Sequence, residues 1–296
     1  MIKKIFLDDV ELSYYDSGGL NDVVVLLHGF PSSYSFWDEI VIELEKKDKR
    51  VLAIEQRGYP LSTLNNPDIN HFNISNLSSD IESLVKKLSI NEVSIIAHDW
   101  GTIVGWAIVQ RNVINVINLI SVCGGTEFPP SSVYKELNYQ NGDHYITSFQ
   151  NPYNASNYLD KDIDNFIKAA YRSTFSQIET VDLSMKSLFT TSKSPKLVVN
   201  DEIINKYTTH FKNSSLYQPI CWYSNIDANI ELSNSWRRTV TSKVTFLFGK
   251  NDLTVQLNDK MYTRLSNLGP NIQIQEINNA GHWLPLTHKE SVLEHI

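Results

Sequence analysis

Short runs of apolar, mostly β-branched residues recur along the first part of the chain, and their spacing predicts a buried parallel sheet. Val23–Leu27 is apolar throughout, and residues 51–54, 93–97 and 116–122 are similar. Strands covered on both faces read as continuous apolar runs rather than as alternation. Leu77, Ile81, Leu84, Val85 and Leu88 fall at helical spacing, which predicts an amphipathic helix over one face of the sheet. Residues 102–109 are apolar nearly all round, so their helix should be central and buried. Beyond Gly124 and Gly125 the pattern changes. Residues 128–235 are rich in Tyr, Asn and Ser, with helical stretches such as 164–170 but no strong strand. Strand–helix alternation resumes at 244–248 and Ile272–Ile277. The chain therefore reads as one α/β fold, a mostly parallel sheet flanked by helices and interrupted by a helical insertion. The expected division is a first core segment at 1–127, a cap at 128–235 and a second core segment at 236–296.

Charge and cysteine content narrow the class. Lys and Arg total 26 against 33 Asp and Glu, a formal charge of −7, and no basic run interleaved with aromatics occurs. Such a chain is a poor candidate for gripping nucleic acid or an anionic membrane. The apolar stretch near the start is cut short by Asp8 and Asp9, and no later run is long enough to span a bilayer. Cys123 and Cys221 make neither a disulfide framework nor a metal knuckle. No cofactor or metal is expected, and a reducing cytoplasm is the expected compartment, although a chain that had lost its leader would read the same. The last residue, Ile296, stands barely into what reads as a final helix, which leaves room for a short tail. Nothing in the pattern fixes the oligomeric state.

Open parallel sheets gather their chemistry at the carboxyl ends of strands. After the run ending at Ala97 the chain reads Ala97-His98-Asp99-Trp100-Gly101 and opens directly into a helix. Small residues two places either side of a central nucleophile, in a strand–turn–helix, make a nucleophile elbow, here with Asp99 where serine is usual. An aspartate before a helix often serves only as an N-cap. Two later loops shift the balance. Phe248 is followed by Gly249-Lys250-Asn251-Asp252, and Ile277 by Asn278-Asn279-Ala280-Gly281-His282-Trp283. Nucleophile, acid and base thus come in the order Asp99, Asp252, His282, each just past an expected strand. His98 is the nearest rival base, but a residue beside the nucleophile on such an elbow usually packs sideways. In the loop His28-Gly29-Phe30-Pro31, the N–H of Phe30 would form an oxyanion hole with that of Trp100. His28 is expected to orient that loop.

Aspartate at the elbow changes the chemistry. A serine that attacked saturated carbon would leave an ether, which water cannot cleave. A carboxylate leaves an ester, which water can open at the Asp99 carbonyl. With an ordinary carboxylate pKa of about 3.9, Asp99 needs no base for the first step. His282, oriented by Asp252, is needed to activate water in the second. The expected substrates therefore carry a leaving group on sp3 carbon, as epoxides and alkyl halides do.

At this point the residues resemble the epoxide hydrolases of the α/β-hydrolase superfamily, over nearly the whole chain. His28-Gly29-Phe30-Pro31 followed by Trp37, Gln56-Arg57-Gly58-Tyr59, His98-Asp99-Trp100-Gly101 and Gly281-His282-Trp283-Leu284-Pro285 carry the likeness. In the insertion, Pro219-Ile220-Cys221-Trp222-Tyr223 is similar to a family segment whose tyrosine donates a proton to the epoxide oxygen. The resemblance assigns that role to Tyr223. The stretch Tyr145-Ile146-Thr147-Ser148-Phe149-Gln150 resembles the segment with the second donor, which makes Tyr145 its equivalent. Phe30, Trp100, Tyr145 and Tyr223 are then the expected substrate-binding residues, and a small epoxide and water the expected partners. Cys221, Ser224, Glu55 and Pro60 depart from the family's usual Asn, Arg, Asp and Gly. In some relatives the acid comes from the region of Glu127, which stands as an alternative to Asp252.

Two other readings compete. Haloalkane and haloacid dehalogenases also use Asp, Asp and His, with Trp beside the nucleophile, and Trp100 fits them. Phe30, however, lacks the side-chain amide that haloalkane dehalogenases place there. A non-catalytic binding protein on the same fold is the third reading, but it would have no use for Asp99, Asp252, His282 and the tyrosines together.

Overall fold

Eight strands form one sheet among the described residues, in the order β1-β2-β4-β3-β5-β6-β7-β8. They are β1 (Ile2–Leu7), β2 (Val10–Asp16), β3 (Val23–Leu27), β4 (Arg50–Glu55), β5 (Glu92–His98), β6 (Asn115–Val122), β7 (Lys243–Gly249) and β8 (Ile272–Ile277). The computed structural model describes residues 2–139, 142–172, 182–189, 197–236, 239–255 and 259–296. From β4 to β8 every neighbouring pair is parallel, while β1 pairs β2 and β2 pairs β4 antiparallel. The parallel strands are the apolar runs expected from the sequence. The antiparallel hairpin β1–β2 is an addition to that reading.

Register decides where the loops go. Leu27 lies opposite Ala97, His98 opposite Val122, and Val122 opposite Leu247. Strands β3, β5, β6 and β7 therefore end nearly level, and the loops after them leave from one edge.

Before β6, three α-helices pack on the core. In α1 (Asp38–Lys46), Ile40, Val41 and Leu44 are buried. In α2 (Ile74–Lys87), Asn73 caps the start by accepting from the Asn76 N–H at 3.1 Å, and Leu77, Ile81, Leu84 and Val85 are buried. Every residue of α3 (Trp100–Arg111) except Arg111 is buried, as its all-apolar pattern requires.

Between β6 and β7 the chain is helical: α4 (Ser131–Lys135), α5 (Tyr145–Phe149), α6 (Pro152–Leu159), α7 (Ile163–Ala170), α8 (Met185–Leu188), α9 (Asp201–Lys212), α10 (Tyr217–Ser224) and α11 (Ile226–Asn234), with a pair of two-residue strands and two isolated bridges beside them among the described residues. Side chains tie these helices to backbone atoms of the core. The Trp222 indole donates to the Arg57 carbonyl at 3.1 Å, and the Tyr171 hydroxyl to the Pro31 carbonyl at 3.0 Å. In the reverse direction, the Trp283 indole donates to the Ala170 carbonyl at 2.9 Å, and its ring stacks on Tyr171 with centroids 4.1 Å apart. Ionisable side chains also join the two parts among the described residues: Lys206 on α9 pairs with Asp38, and His210 on the same helix meets Glu55, a fully buried carboxylate at the end of β4, at 2.6 Å. No helix among the described residues is long and apolar enough to cross a membrane.

Candidate active site

Asp99 sits between β5 and α3 with φ 54° and ψ −123°. A non-glycine residue there is strained, and such strain gathers at functional positions. The surroundings make the turn possible only with glycine nearby. A Cβ on Gly101 would collide with the Leu27 and His28 carbonyl oxygens, and one on Gly29 would collide with the Asp99 carboxylate itself. The elbow therefore lies flush against the loop after β3. From that loop the Phe30 N–H donates to Asp99 Oδ1 at 2.7 Å, and the Trp100 N–H also bonds the carboxylate. The Phe30–Pro31 peptide is cis.

The other carboxylate oxygen, Oδ2, faces His282 Nε2 at 3.7 Å. On the far side of the ring, His282 Nδ1 lies 3.2 Å from Asp252 Oδ2. The side chain of Asp99 is 15% exposed whereas that of Asp252 is 0% exposed, so only the first can meet a substrate. Asp252 Oδ1 accepts from the Thr254 N–H at 2.8 Å and from its hydroxyl at 2.7 Å. The same hydroxyl oxygen lies 3.0 Å from His282 Nδ1. Thr254 is the site residue that the sequence reading missed; one threonine two places after an acid carries no pattern of its own.

The electrostatics follow from burial and from these partners. Burial pushes Asp99 above the ordinary carboxylate value taken from the sequence, and His282 and the two amides pull it only part of the way back. For Asp252 burial acts the same way, but His282 and Thr254 outweigh it and hold the carboxyl below the usual range. Burial lowers His282, yet the charge and hydrogen bond of Asp252 and the charge of Asp99 leave it above the ordinary imidazole value.

The other two histidines near the elbow are placed differently. Burial takes His98 down to about 3; its Nε2 bonds the His282 carbonyl at 2.8 Å, and its ring stacks on Phe36. His98 thus packs sideways, as its position beside the elbow suggests. Burial takes His28 down to about 4, and it accepts from the Gln56 N–H at 3.2 Å while its other nitrogen faces the Gly29 carbonyl. It braces the loop it belongs to. Glu127 faces Arg264 in an ion pair, and Ser233 donates to it at 3.5 Å; the residue against the His282 ring is Asp252.

Tyr223, on α10, is buried above the elbow, its ring 5.6 Å from that of Phe30 and 5.0 Å from that of Trp100. Tyr145, at the start of α5, has its ring 6.1 Å from that of Tyr223. Gln150 donates to the Tyr223 carbonyl at 2.8 Å, and the Ser224 hydroxyl to the Phe149 carbonyl at 3.0 Å, tying α10 to α5. Ser224, one of the departures noted above, thus holds this pair of helices together through a backbone partner. Burial raises the Tyr223 phenol well above its usual pKa, and the charge of Asp99 adds to this; the Trp100 indole works in the opposite direction. Among the described residues no group of three or more His, Cys, Asp or Glu side chains could hold a metal ion.

Known proteins resemble this chain in sequence and in fold. The bifunctional epoxide hydrolase 2 of Sus scrofa is 28% identical over 285 residues, which cover 93% of this chain and 50% of that protein. The chain therefore spans about half the length of that relative. Epoxide hydrolase A of Mycobacterium tuberculosis is 26% identical over 88% of this chain and 85% of its own length. A solved epoxide hydrolase variant from Vigna radiata superposes with a TM-score of 0.86 at 19% identity, covering 100% of this chain and 96% of that one. The family model for the alpha/beta hydrolase fold matches residues 22–289. On that match, over most of its length, the chain belongs to the α/β hydrolase fold family.

Proposed function

We propose that this protein is an epoxide hydrolase that opens an epoxide to a vicinal diol through a covalent ester on Asp99. The observation that carries the reading is a carboxylate, not a hydroxyl, on the elbow, 3.7 Å from an imidazole backed by a second carboxylate. Oδ1 is held by the Phe30 amide and the Trp100 amide also bonds the carboxylate, which leaves Oδ2, the oxygen facing His282, to attack. Attack forms a bond from Oδ2 to one epoxide carbon and breaks that carbon's bond to oxygen. The alkoxide takes a proton from Tyr223, assisted by Tyr145. In the second step His282 Nε2 takes a proton from water, and the hydroxide adds to the Asp99 carbonyl carbon. Charge then collects on Oδ1 between the two amides. Collapse breaks the ester, the departing oxygen is protonated from His282 to give the diol, and the proton left on the Asp99 carboxyl returns to the Tyr223 phenolate.

The epoxide hydrolases among the relatives, matched along most of this chain, support the substrate class. The contact of Asp252 with His282 supports Asp252 rather than Glu127 as the acid. The helices of residues 128–235 act in this reading as a cap that brings Tyr223 and Tyr145 over the core segments 1–127 and 236–296. Free, buried Cys123 and Cys221 suit a cytoplasmic setting.

A second reading, displacement of halide by the same Asp99, is favoured by Trp100 beside the nucleophile. In this site its indole lies against the ring of Tyr223, at 5.0 Å between centroids, which suits an oxygen leaving group better. Diol formation measured against halide release on matched substrates separates the two. The covalent step is tested with His282→Gln: incubation with styrene oxide should add one epoxide to the intact mass, localised to Asp99. An unchanged mass with several reactive epoxides overturns the mechanism.

A further inference from the structure

We propose that Thr254 is a positioning residue that aims the Asp252 carboxylate at His282 and shares the His282 Nδ1 proton. Its kinetic consequence rests on the epoxide-hydrolase reading; its geometric consequence does not.

The inference follows from counting protons. The Thr254 oxygen lies 2.7 Å from Asp252 Oδ1 and 3.0 Å from His282 Nδ1, and it has one hydrogen to place. An ionised carboxylate can only accept, so that hydrogen goes to Asp252. The lone pair of the hydroxyl then faces Nδ1, as does Asp252 Oδ2 at 3.2 Å. Two acceptors directed at one ring nitrogen require that nitrogen to carry hydrogen. His282 is therefore the Nδ1–H tautomer when neutral, and Nε2, the nitrogen facing Asp99, is the free base. The backbone N–H of Thr254 adds a second bond to Asp252 Oδ1, at 2.8 Å. With Oδ1 held twice by one residue, the carboxylate cannot rotate without breaking both bonds, and Oδ2 stays on the imidazole. Thr254 itself is exposed, so the back of the pair lies close to solvent and the hydroxyl takes a place that water would otherwise compete for.

The test pairs Thr254→Val, which keeps the shape and blocks water with its second methyl, with Thr254→Ser, which keeps the hydroxyl. In rapid-quench experiments with styrene oxide, Thr254→Val should form the Asp99 ester at close to the parent rate and hydrolyse it roughly tenfold more slowly, the scale for losing a hydrogen bond to a charged pair. The ester should then accumulate, and Thr254→Ser should restore its hydrolysis. Separately, proton NMR of the protein without substrate should show the Nδ1–H resonance of His282, assigned by its loss in His282→Gln. It should move in Thr254→Val and return in Thr254→Ser. A resonance unmoved in Thr254→Val overturns the proposal, as does ester hydrolysis within twofold of the parent. If the parent protein forms no ester while the resonance responds as described, the functional reading fails and the positioning role stands.

Discussion

In the proposed mechanism Asp99 supplies one of the two negative charges that hold a proton on His282, and the first chemical step removes it. An alkylated Asp99 is a neutral ester, so the imidazole loses that support when it has to act as a base. Asp99→Asn mimics the neutral state. The pH at which His282 titrates, followed by NMR, should fall in Asp99→Asn relative to the parent; an unchanged or higher value contradicts the coupling. Because burial raises Asp99 itself, the acid limb of kcat/KM should lie above the ordinary carboxylate range. Tyr223→Phe should slow ester formation on the order of 10²–10³-fold, the scale for removing one donor to a developing oxyanion, with Tyr145 able to soften the loss; an unchanged alkylation rate removes the donor role. The sequence pattern singled out Asp99, Asp252 and His282 because each stands in the loop that follows an apolar run, and the structure brings the three side chains together. Tyr223 and Tyr145 were not legible from pattern alone. They stand on helices in a chain with 14 tyrosines, where spacing does not separate a proton donor from a packing ring. Only the family resemblance singled them out.

Mostly apolar runs announced β3 to β7 because a strand covered on both faces has no polar side to show. Ile2–Leu7 hides for the opposite reason. It pairs only with β2, most of its residues are exposed, and lysines interrupt it. What fastens this end of the sheet is Asp16, at the end of β2 with no exposed side-chain surface, bonded by Arg50 of β4 at 3.0 Å and by Lys3 of β1 at 2.7 Å. The two cations hold its carboxyl well below the usual range even though burial opposes them. A carboxyl with a depressed pKa stabilises the fold above its unfolded value of about 3.9 and loses that contribution as pH falls toward the folded value. Asp16→Asn should therefore cost about 2 kcal/mol near neutral pH, and the gap in thermal stability should close on acidification. A gap independent of pH would show that shape rather than charge matters there.

At the scale of the whole molecule, the helical stretch between β6 and β7 was readable from the change of pattern after Gly124 and Gly125, but how those helices are fastened to the rest was not. His210 and Glu55 are 155 residues apart, and neither stands in a motif that names the other. Glu55 also accepts from the Tyr34 N–H at 3.0 Å, so the contact reaches the loop after β3 as well. His210→Leu would leave a buried carboxylate short of one partner, a loss of roughly 2 kcal/mol in thermal unfolding. His210→Gln, which keeps an N–H donor, should lose much less. Equal losses in the two variants would mean that packing, not the hydrogen bond, holds the parts together.

Several of the other fastenings end on a peptide carbonyl: the indoles of Trp222 and Trp283 on positions 57 and 170, the phenol of Tyr171 on position 31. A carbonyl is present whatever side chain its residue bears. Each such joint constrains one amino-acid identity instead of two, so the surface it grips is free to vary while the grip persists. Two proteins built this way can share fewer than one residue in five and still superpose along their whole length.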